Sequence, residues 1–455
     1  MTADPFRTLV VSDLHLADPV DDRAAAEALV GFVDEHRESP PAPGMRWRLV
    51  VAGDLFDLEV RRGRAGKAWR SGAAAAVDGL VRDFPAVWEA LRAFAAAGNR
   101  VVVIPGNHDA ALAEPLGAAR VRKEIGHGTQ VTPLWRDAAR ELIVAHGHQQ
   151  DPDNRFAVWP PAASAAALVG TVGPATKGAA PAEDASLGVL MTRLFVGPMR
   201  FRVRSEVEGT PLKNLLGVML SHGLGAPVIV FAYLWAALRI VLFHSGARFF
   251  AARAAAVGSS GAADAAGVAV GEGTVRVMGV APDELPAWAA LDRVAARPTL
   301  ARRWNTFHRL YLGRVVITLA ATAVVLGLLL APHRAWTPWA ALAGALAPLV
   351  FFAVRGNLYA HRVRHALEAA AHALVDGGHA RTVVFGHLHH RVDLALAEGG
   401  RYLNAGMFFT RRGGAAALSF VREEADGLRL ASSAVARPSR VSAGASSSPS
   451  SSSRS

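Results

Sequence analysis

Short β-branched runs alternate with Ala-rich amphipathic stretches through the first 150 residues, the pattern of strands and helices in an α/β layer fold. It predicts strands over residues 9–12, 49–52, 101–104 and 142–145, and helices over 23–36 and 85–97, the second stopped by Gly98 and Asn99. The pattern then breaks off and returns late, with strands expected over 382–385, 402–403, 416–421 and 428–431. A discontinuous α/β domain is therefore expected from residues 1–150 and 377–431, with 151–376 as an insertion.

The insertion opens on a Pro/Ala/Gly-rich stretch, 160–185, and carries three long apolar runs. Runs 315–331 and 336–354 are nearly uncharged, and each is close to the ~20 residues that cross a bilayer core. With the loop 332–335 they read as a transmembrane hairpin, 315–354. Arg309 and Arg314 before it and Arg355, Arg362 and Arg364 after it put both outer ends in the cytoplasm by the positive-inside rule, while Trp336 and Trp339 suit the far interface. Arg302 and Arg303 join Arg309 and Arg314 as a juxtamembrane anchor. The run 224–243 is long enough to span but holds Pro227 and Arg239. One domain that draws on both flanks requires an even number of crossings, so this run is expected to lie in the interface or to re-enter. Buried core helix is the competing reading of all three runs.

Composition sharpens this picture. The chain has 455 residues, 51% of them hydrophobic, and its mean hydropathy of +0.23 fits segments that face lipid. With no cysteine, disulfides, zinc–thiolate sites and thiol catalysis are excluded, and any metal must rest on His, Asp, Glu or Asn. The net charge of +11 favours phosphate-bearing partners or an anionic membrane surface without specifying a chemistry. Part of it, Arg429, Arg437, Arg440 and Arg454, lies in or just before a Ser-rich tail, 432–455, that is expected to be disordered. The N-terminal residues show no basic segment followed by an apolar run, so a cytoplasmic start is expected.

Five short segments put metal-ligating side chains just past an expected strand end, where open α/β sheets hold their ligands. They are Ser-Asp-Leu-His at 12–15, Gly-Asp-Leu-Phe-Asp at 53–57, Gly-Asn-His-Asp at 106–109, His-Gly-His at 146–148 and Gly-His-Leu-His at 386–389. Any one of them also fits a solvated turn. Together and in this order they resemble the calcineurin-like metallophosphoesterase family, over residues 8–148 and about 380–430 but not over the insertion. The resemblance implies an αββα two-sheet sandwich holding two divalent metal ions, with Asp54 bridging them, Asp13, His15 and His389 completing one site, and Asn107, His146 and His387 the other. Two cations about 3.5–4 Å apart need such a shared carboxylate with separate imidazole or amide ligands. His108 would stabilise the transition state or protonate the leaving oxygen, with Asp109 orienting its ring. Nitrogen and oxygen donors without sulfur suit Mn, Fe, Co or Zn alike.

Around these, Asp57 reads as a carboxylate behind the ligands, and Asn404 as either the Asn-x-Gly turn of the family or a plain turn. His148, expected on the same side of an extended segment as His146, Asp151 in a polar loop with Asp153 and Asn154, and Asn107 are candidate substrate contacts; an ordinary Asx turn is equally open for the loop. His361, His365, His372 and His379 read as a solvated helical face. The insertion stands where the UDP-2,3-diacylglucosamine pyrophosphatases carry a helical cap, although the chain departs from that branch at His108 and His148. The reading that follows is a membrane-bound phosphoesterase facing the cytoplasm from a bacterial-type inner or plasma membrane, acting on a phosphate ester or pyrophosphate, with membrane lipids as its other partner and no protein partner. A lipid-linked substrate and an insertion that is only a tether are equally open. The alternatives are a tethered phosphodiesterase or nuclease on soluble nucleotides or nucleic acid, for which the exposed aromatics of a nucleic-acid groove are missing, and a non-catalytic membrane scaffold.

Overall fold

A computed structural model of the chain describes residues 4–65, 72–156, 158–159, 185–199, 225–246, 276–277, 281–295, 297–330, 339–340, 342–344, 346–347, 358–412 and 415–434. Strands β1 (Phe6–Val11), β2 (Arg46–Ala52), β3 (Arg100–Ile104) and β4 (Thr129–Val131) run parallel and in sequence order. Helix α1 (Arg23–Glu38) makes the first crossover, α2 (Leu58–Ala65), α3 (Ala73–Asp83) and α4 (Pro85–Ala96) the second, and α5 (Pro115–Ile125) the third. A second sheet holds β5 (Leu134–Asp137) and β6 (Leu142–Ala145) from this half of the chain. The short pair β7 (Val158–Trp159) and β8 (Arg276–Val277) belongs to the insertion. From the late segment, β9 (Thr382–Phe385) lies parallel to β6, with β11 (Arg401–Asn404) and β10 (Val392–Ala395) beyond it. The first sheet is completed by β12 (Phe409–Arg412), β13 (Ala415–Glu424), which pairs antiparallel with β1, and β14 (Gly427–Ala434). Both sheets are mixed, and both contain strands from either side of the insertion. Every strand expected from the sequence forms.

The period of two along the strands decides the layering. On β2, Leu49 and Val51 pack with Phe32 and Trp88 of the crossover helices, while Val50 and Ala52 meet Val144, Val384 and Leu403 of the second sheet. On β6, Leu142 and Val144 face this inter-sheet core and Ile143 and Ala145 face outward. Two sheets are thus sandwiched between helical layers.

The outer layer on the second sheet is where the insertion goes. It comprises α6 (Leu187–Met191), α7 (Ala226–Phe243), α8 (Leu285–Val294), α9 (Arg303–Arg309), α10 (Leu312–Leu330) and α11 (Leu358–Asp376). Leu187, Ala237, Ile240, Leu291, Leu310 and Leu367 share one buried cluster with Ile143, Val383 and Phe385. The apolar run expected at 224–243 is α7, and its two faces differ: Ile229, Ala236, Ala237, Ile240 and Val241 are buried, whereas Val228, Phe231, Trp235, Leu238 and Leu242 form an exposed stripe at helical spacing. Helix α10 exposes Val316, Leu319, Val324, Leu326 and Leu330.

Among the described residues no single helix is long and apolar enough to cross a membrane; Arg303–Arg309 and Leu312–Leu328 pass such a test only together, with a bend of 68° between them. The expected second arm of the hairpin, 336–354, lies mostly outside the described residues, as does the stretch 160–184. The last strand runs on to Ala434, past the expected start of the tail at Ser432, because Ser432 and Ser433 pair with Ser419 and Leu418. Residues 435–455 lie outside the described residues.

Candidate metal centre

All five segments emerge at the same end of the two sheets, directly after β1, β2, β3, β6 and β9. The parallel pairing of β6 with β9 sets Ala145 opposite Phe385, which brings His146 beside His387 although the whole insertion separates them in sequence. The rings of His146 and His387 lie 5.2 Å apart. Three groups of ligand atoms result among the described residues: a first cluster of Asp13, His15 and His389, a second of Asp54, His146 and His387, and a group of His15, Asp57 and His108 that shares His15 with the first. Asp54 reaches towards both, its Oδ2 lying 3.2 Å from His146 Nε2 and 3.8 Å from His15 Nε2. Asn107 joins the second cluster, with Oδ1 3.3 Å from His146 Nε2.

The backbone that presents these groups is unusual. Asp13, His15, Asp54 and His387 have φ of 57°, 53°, 51° and 67°, a left-handed conformation worth about 1–3 kcal/mol of strain for each non-glycine residue. It is held by backbone bonds between the first two motifs: Asp13 N–H donates to Gly53 O at 3.1 Å, and Leu14 and His15 N–H both donate to Asp54 O at 3.0 and 2.9 Å. Glycine is required beside them. A Cβ on Gly53, whose φ is +91°, would fall 2.1 Å from His146 Nδ1, and one on Gly106 would fall 2.2 Å from Asp54 Oδ1. Asn404 forms an Asx turn and also braces the last motif. Its Oδ1 accepts from Gly406 N–H at 2.9 Å, and its Nδ2 donates to the Gly386 carbonyl at 2.5 Å, fixing the turn that carries His387.

The donor set fits cations. His146 Nδ1 lies 2.8 Å from the Ala52 carbonyl, which can only accept, so Nδ1 carries a hydrogen and Nε2 is the ring atom that faces Asp54 Oδ2 and Asn107 Oδ1, open to a cation or, when protonated, donating to Asp54. Asp13 Oδ1 is buried without a hydrogen-bond partner among the described residues, and stands 3.8 Å from His15 Nε2 and 3.7 Å from His389 Nε2. The two imidazole nitrogens are themselves 3.3 Å apart, about the edge that ligands at roughly 2.1 Å from a common tetrahedral ion would span. Acceptor atoms turned on one another in a buried site repel unless positive charge lies among them.

Electrostatics say the same. Burial alone would raise the Asp54 carboxyl, but the imidazoles of His146 and His108 hold it well below the usual carboxylate range. Burial works against charge on His146 and His108 too, yet Asp54 pushes His146 up to about 9, and Asp57 with Asp54 pushes His108 up to about 10. Burial and His15 hold His389 well below its ordinary value.

Several expectations need correction. Asp109 does not orient His108: its Oδ1 accepts from Gly106 N–H at 2.7 Å and its Oδ2 from Phe56 N–H at 3.2 Å, so it ties the second and third loops together. Asp57 faces His108 instead, with Oδ1 3.1 Å from Nδ1. His148 does not lie on an extended segment with His146. Gly147, at φ +99°, turns the chain out of the extended path into the short helix His148–Gln150, and His148 is buried against His146 and Phe156. Asp151 is likewise buried, with Oδ2 2.9 Å from His387 Nε2. Arg309, expected in a juxtamembrane collar, turns inward to pair with Asp153. His365 and His372 are exposed and face Glu368 and Asp376 along their helix, as a solvated face should. Two residues named from the sequence take roles it does not specify: Ser12 of the first motif, whose hydroxyl bonds Asp13, and Asn154 of the polar loop, whose Oδ1 accepts from Asn107 Nδ2 at 3.3 Å.

Comparison with known proteins adds a family. Residues 6–168 match the model for calcineurin-like phosphoesterases, a span that includes Asp13, Asp54, Asn107 and His146 and ends before His387 and His389. No curated protein matches the chain. Residues 6–168 are accordingly a calcineurin-like phosphoesterase domain.

Proposed function

We propose that the chain hydrolyses a phosphate ester or pyrophosphate borne by a lipid, at a two-metal centre held on the cytoplasmic side of a membrane by the insertion. The observation that carries this reading is the pair of His/Asp clusters meeting at Asp54, with imidazole nitrogens and carboxylate oxygens turned on one another in each. Asp13, His15 and His389 would hold one divalent ion, Asn107, His146 and His387 the other, and Asp54 would bridge. Such ions supply a nucleophilic water at neutral pH and positive charge at a phosphoryl oxygen. The remaining work falls to the chain. His108, cationic beside Asp57 and with about a fifth of its side chain exposed, is placed to protonate the departing oxygen or offset charge that develops there.

Support for the membrane comes from the insertion. The stripe Val228, Phe231, Trp235, Leu238 and Leu242 on α7 and the exposed apolar residues of α10 are an extent of apolar surface that favours lipid contact. Because α7 also buries its other face, we read it as lying in the interface, with any crossing made by α10 and the segment after it. The test is twofold. The purified full chain should hydrolyse bis-p-nitrophenyl phosphate or p-nitrophenyl phosphate only with Mn or another divalent metal, and His108→Ala and Asp54→Asn should lower the rate by orders of magnitude; full activity in both variants would sink the assignment. Reporter fusions after residues 150 and 400 should report one side of the membrane, and release of phosphate from fractionated lipid extracts should identify the substrate.

A further inference from the structure

Residues 151–155, the first of the insertion, touch the metal centre on one side and the helices of the insertion on the other. Toward the centre, Asp151 Oδ2 accepts from His387 Nε2 at 2.9 Å and from Asn154 Nδ2 at 2.8 Å, while Asn154 Oδ1 accepts from Asn107 Nδ2 at 3.3 Å. Both His387 and Asn107 belong to the second cluster. Within the loop, Asp151 Oδ1 accepts from Asp153 N–H at 2.8 Å, and Asp151 O accepts from Arg155 N–H at 2.8 Å, so the segment is one folded unit. Toward the insertion, Asp153 pairs with Arg309 and Thr299, and Arg155 pairs with Asp292 of α8. Backbone bonds reinforce these: Gly188 N–H donates to Asp153 O at 2.8 Å and Thr299 N–H to Pro152 O at 2.9 Å. Gly188 also leaves the space that Asn154 fills, since a Cβ there would lie 2.0 Å from Asn154 Oδ1. Asp151, Asp153 and Arg155 are all buried.

We propose that Asp151 is a positioning residue of the second metal site and that the insertion, through Arg309 on Asp153 and Asp292 on Arg155, holds it there, so that the insertion is part of the scaffold of the metal centre and not only a tether. A carboxylate that accepts from Nε2 of a ligating histidine fixes the ring and its tautomer and raises the basicity of the other nitrogen. Here the loop that carries the carboxylate is tied to the helices of the insertion by two ion pairs, Asp153 with Arg309 and Arg155 with Asp292. Arg309 closes α9 at the 68° bend into the apolar helix α10, so the foot of that helix and the second metal site bear on the same five residues.

This inference rests on the two-metal reading above, and the experiment separates the two. The full chain, purified in detergent and stripped with chelator, is titrated with Mn by calorimetry. Wild type should bind two equivalents; binding of none would sink the parent reading and this inference with it. In Asp151→Ala one equivalent should weaken about 10–100-fold while the other is unchanged, and Arg309→Met should weaken the same equivalent. The unchanged equivalent excludes misfolding as the cause. Should Asp151→Ala fail to fold, the isosteric Asp151→Asn must show the selective weakening. Two equivalents with wild-type affinities in the Asp151 and Arg309 variants, or equal weakening of both equivalents in Asp151→Asn, would overturn the proposal.

Discussion

Replacing Asp57 by Asn tests which carboxylate governs His108. The Asp57 carboxylate sits 3.1 Å from His108 Nδ1, and the two side chains are 10% and 21% exposed, so water screens the pair only in part. Burial opposes the imidazolium, and Asp57 is the foremost group that sustains it at about 10. A partly screened ion pair of this kind is worth on the order of 1.5–3 kcal/mol, between the ~1 kcal/mol of an exposed pair and the ~3–5 kcal/mol lost on breaking a buried one. If that stabilisation is used in the transition state, its loss lowers kcat about 10- to 100-fold, at roughly 1.4 kcal/mol for each factor of ten. The sign of the pH effect follows. His108 is raised above its ordinary value, so its cationic form is present at low pH and is lost as pH rises through its pKa. Without the Asp57 charge that loss occurs at lower pH, and the basic limb of the kcat profile should move toward neutrality. Asp109→Asn is the control, because Asp109 bonds Gly106 and Phe56 N–H groups and not the ring. It should lower stability through one lost backbone bond, about 1–3 kcal/mol, and leave the position of the basic limb unchanged. The measurement is kcat against pH from 5 to 10 on p-nitrophenyl phosphate at saturating Mn. A basic limb that moves in Asp109→Asn and stays in Asp57→Asn would refute the reasoning.

Gly53→Ala should weaken metal binding on the order of 100-fold or more in a Mn titration, since its Cβ would fall 2.1 Å from His146 Nδ1 at a φ of +91° that disfavours alanine. Leu367→Ala removes a side chain that is 0% exposed and joins α11 to the second sheet; unfolding in urea should show a loss of about 2–5 kcal/mol. Phe231→Asp, on the exposed stripe of α7, should reduce binding to anionic vesicles about 10–100-fold, the effect of withdrawing one large apolar side chain, and leave p-nitrophenyl phosphate hydrolysis unchanged. Chelation should abolish hydrolysis and lower thermal stability, by about 4 kcal/mol for each site that had been held at 1,000 times its Kd; an unchanged melting temperature would argue that the clusters hold no ion.

How much of this is legible in the sequence depends on how local each determinant is. The strands are readable because alternation of side chains and β-branched runs act within a few residues, and the ligands because they follow strand ends. Which of two acidic residues faces His108 is not, since Asp57 and Asp109 each lie in a ligand motif and the choice is made by how two loops dock. The expected placement of His148 fails on one glycine: Gly147 in the left-handed region ends the extended segment on which it depends. For the insertion, hydropathy sums over all faces of a helix. It registers α7 as apolar whether the face of Ile240 packs on the sheet or the face of Trp235 meets lipid, and the structure shows one buried and one exposed. Arg309 misleads for the complementary reason, that a charge beside an apolar run looks like a collar until its partner, 156 residues away, is known.

The two metal clusters therefore differ in what supports them. Asp13 and His15 are held in strained backbone by bonds to Gly53 and Asp54, the extension of the β1–β2 pairing, so the first cluster depends on the core of the domain. His387 and Asn107 lean on Asp151 and Asn154, and through them on helices outside the span of the family match. If the proposal holds, a shift of α10 would act on the second cluster through Arg309 and Asp153, while the first remains anchored to its strands. A hydrolase built in this way can keep a metal in one site irrespective of its surroundings and make the completeness of the other answer to how the insertion is seated.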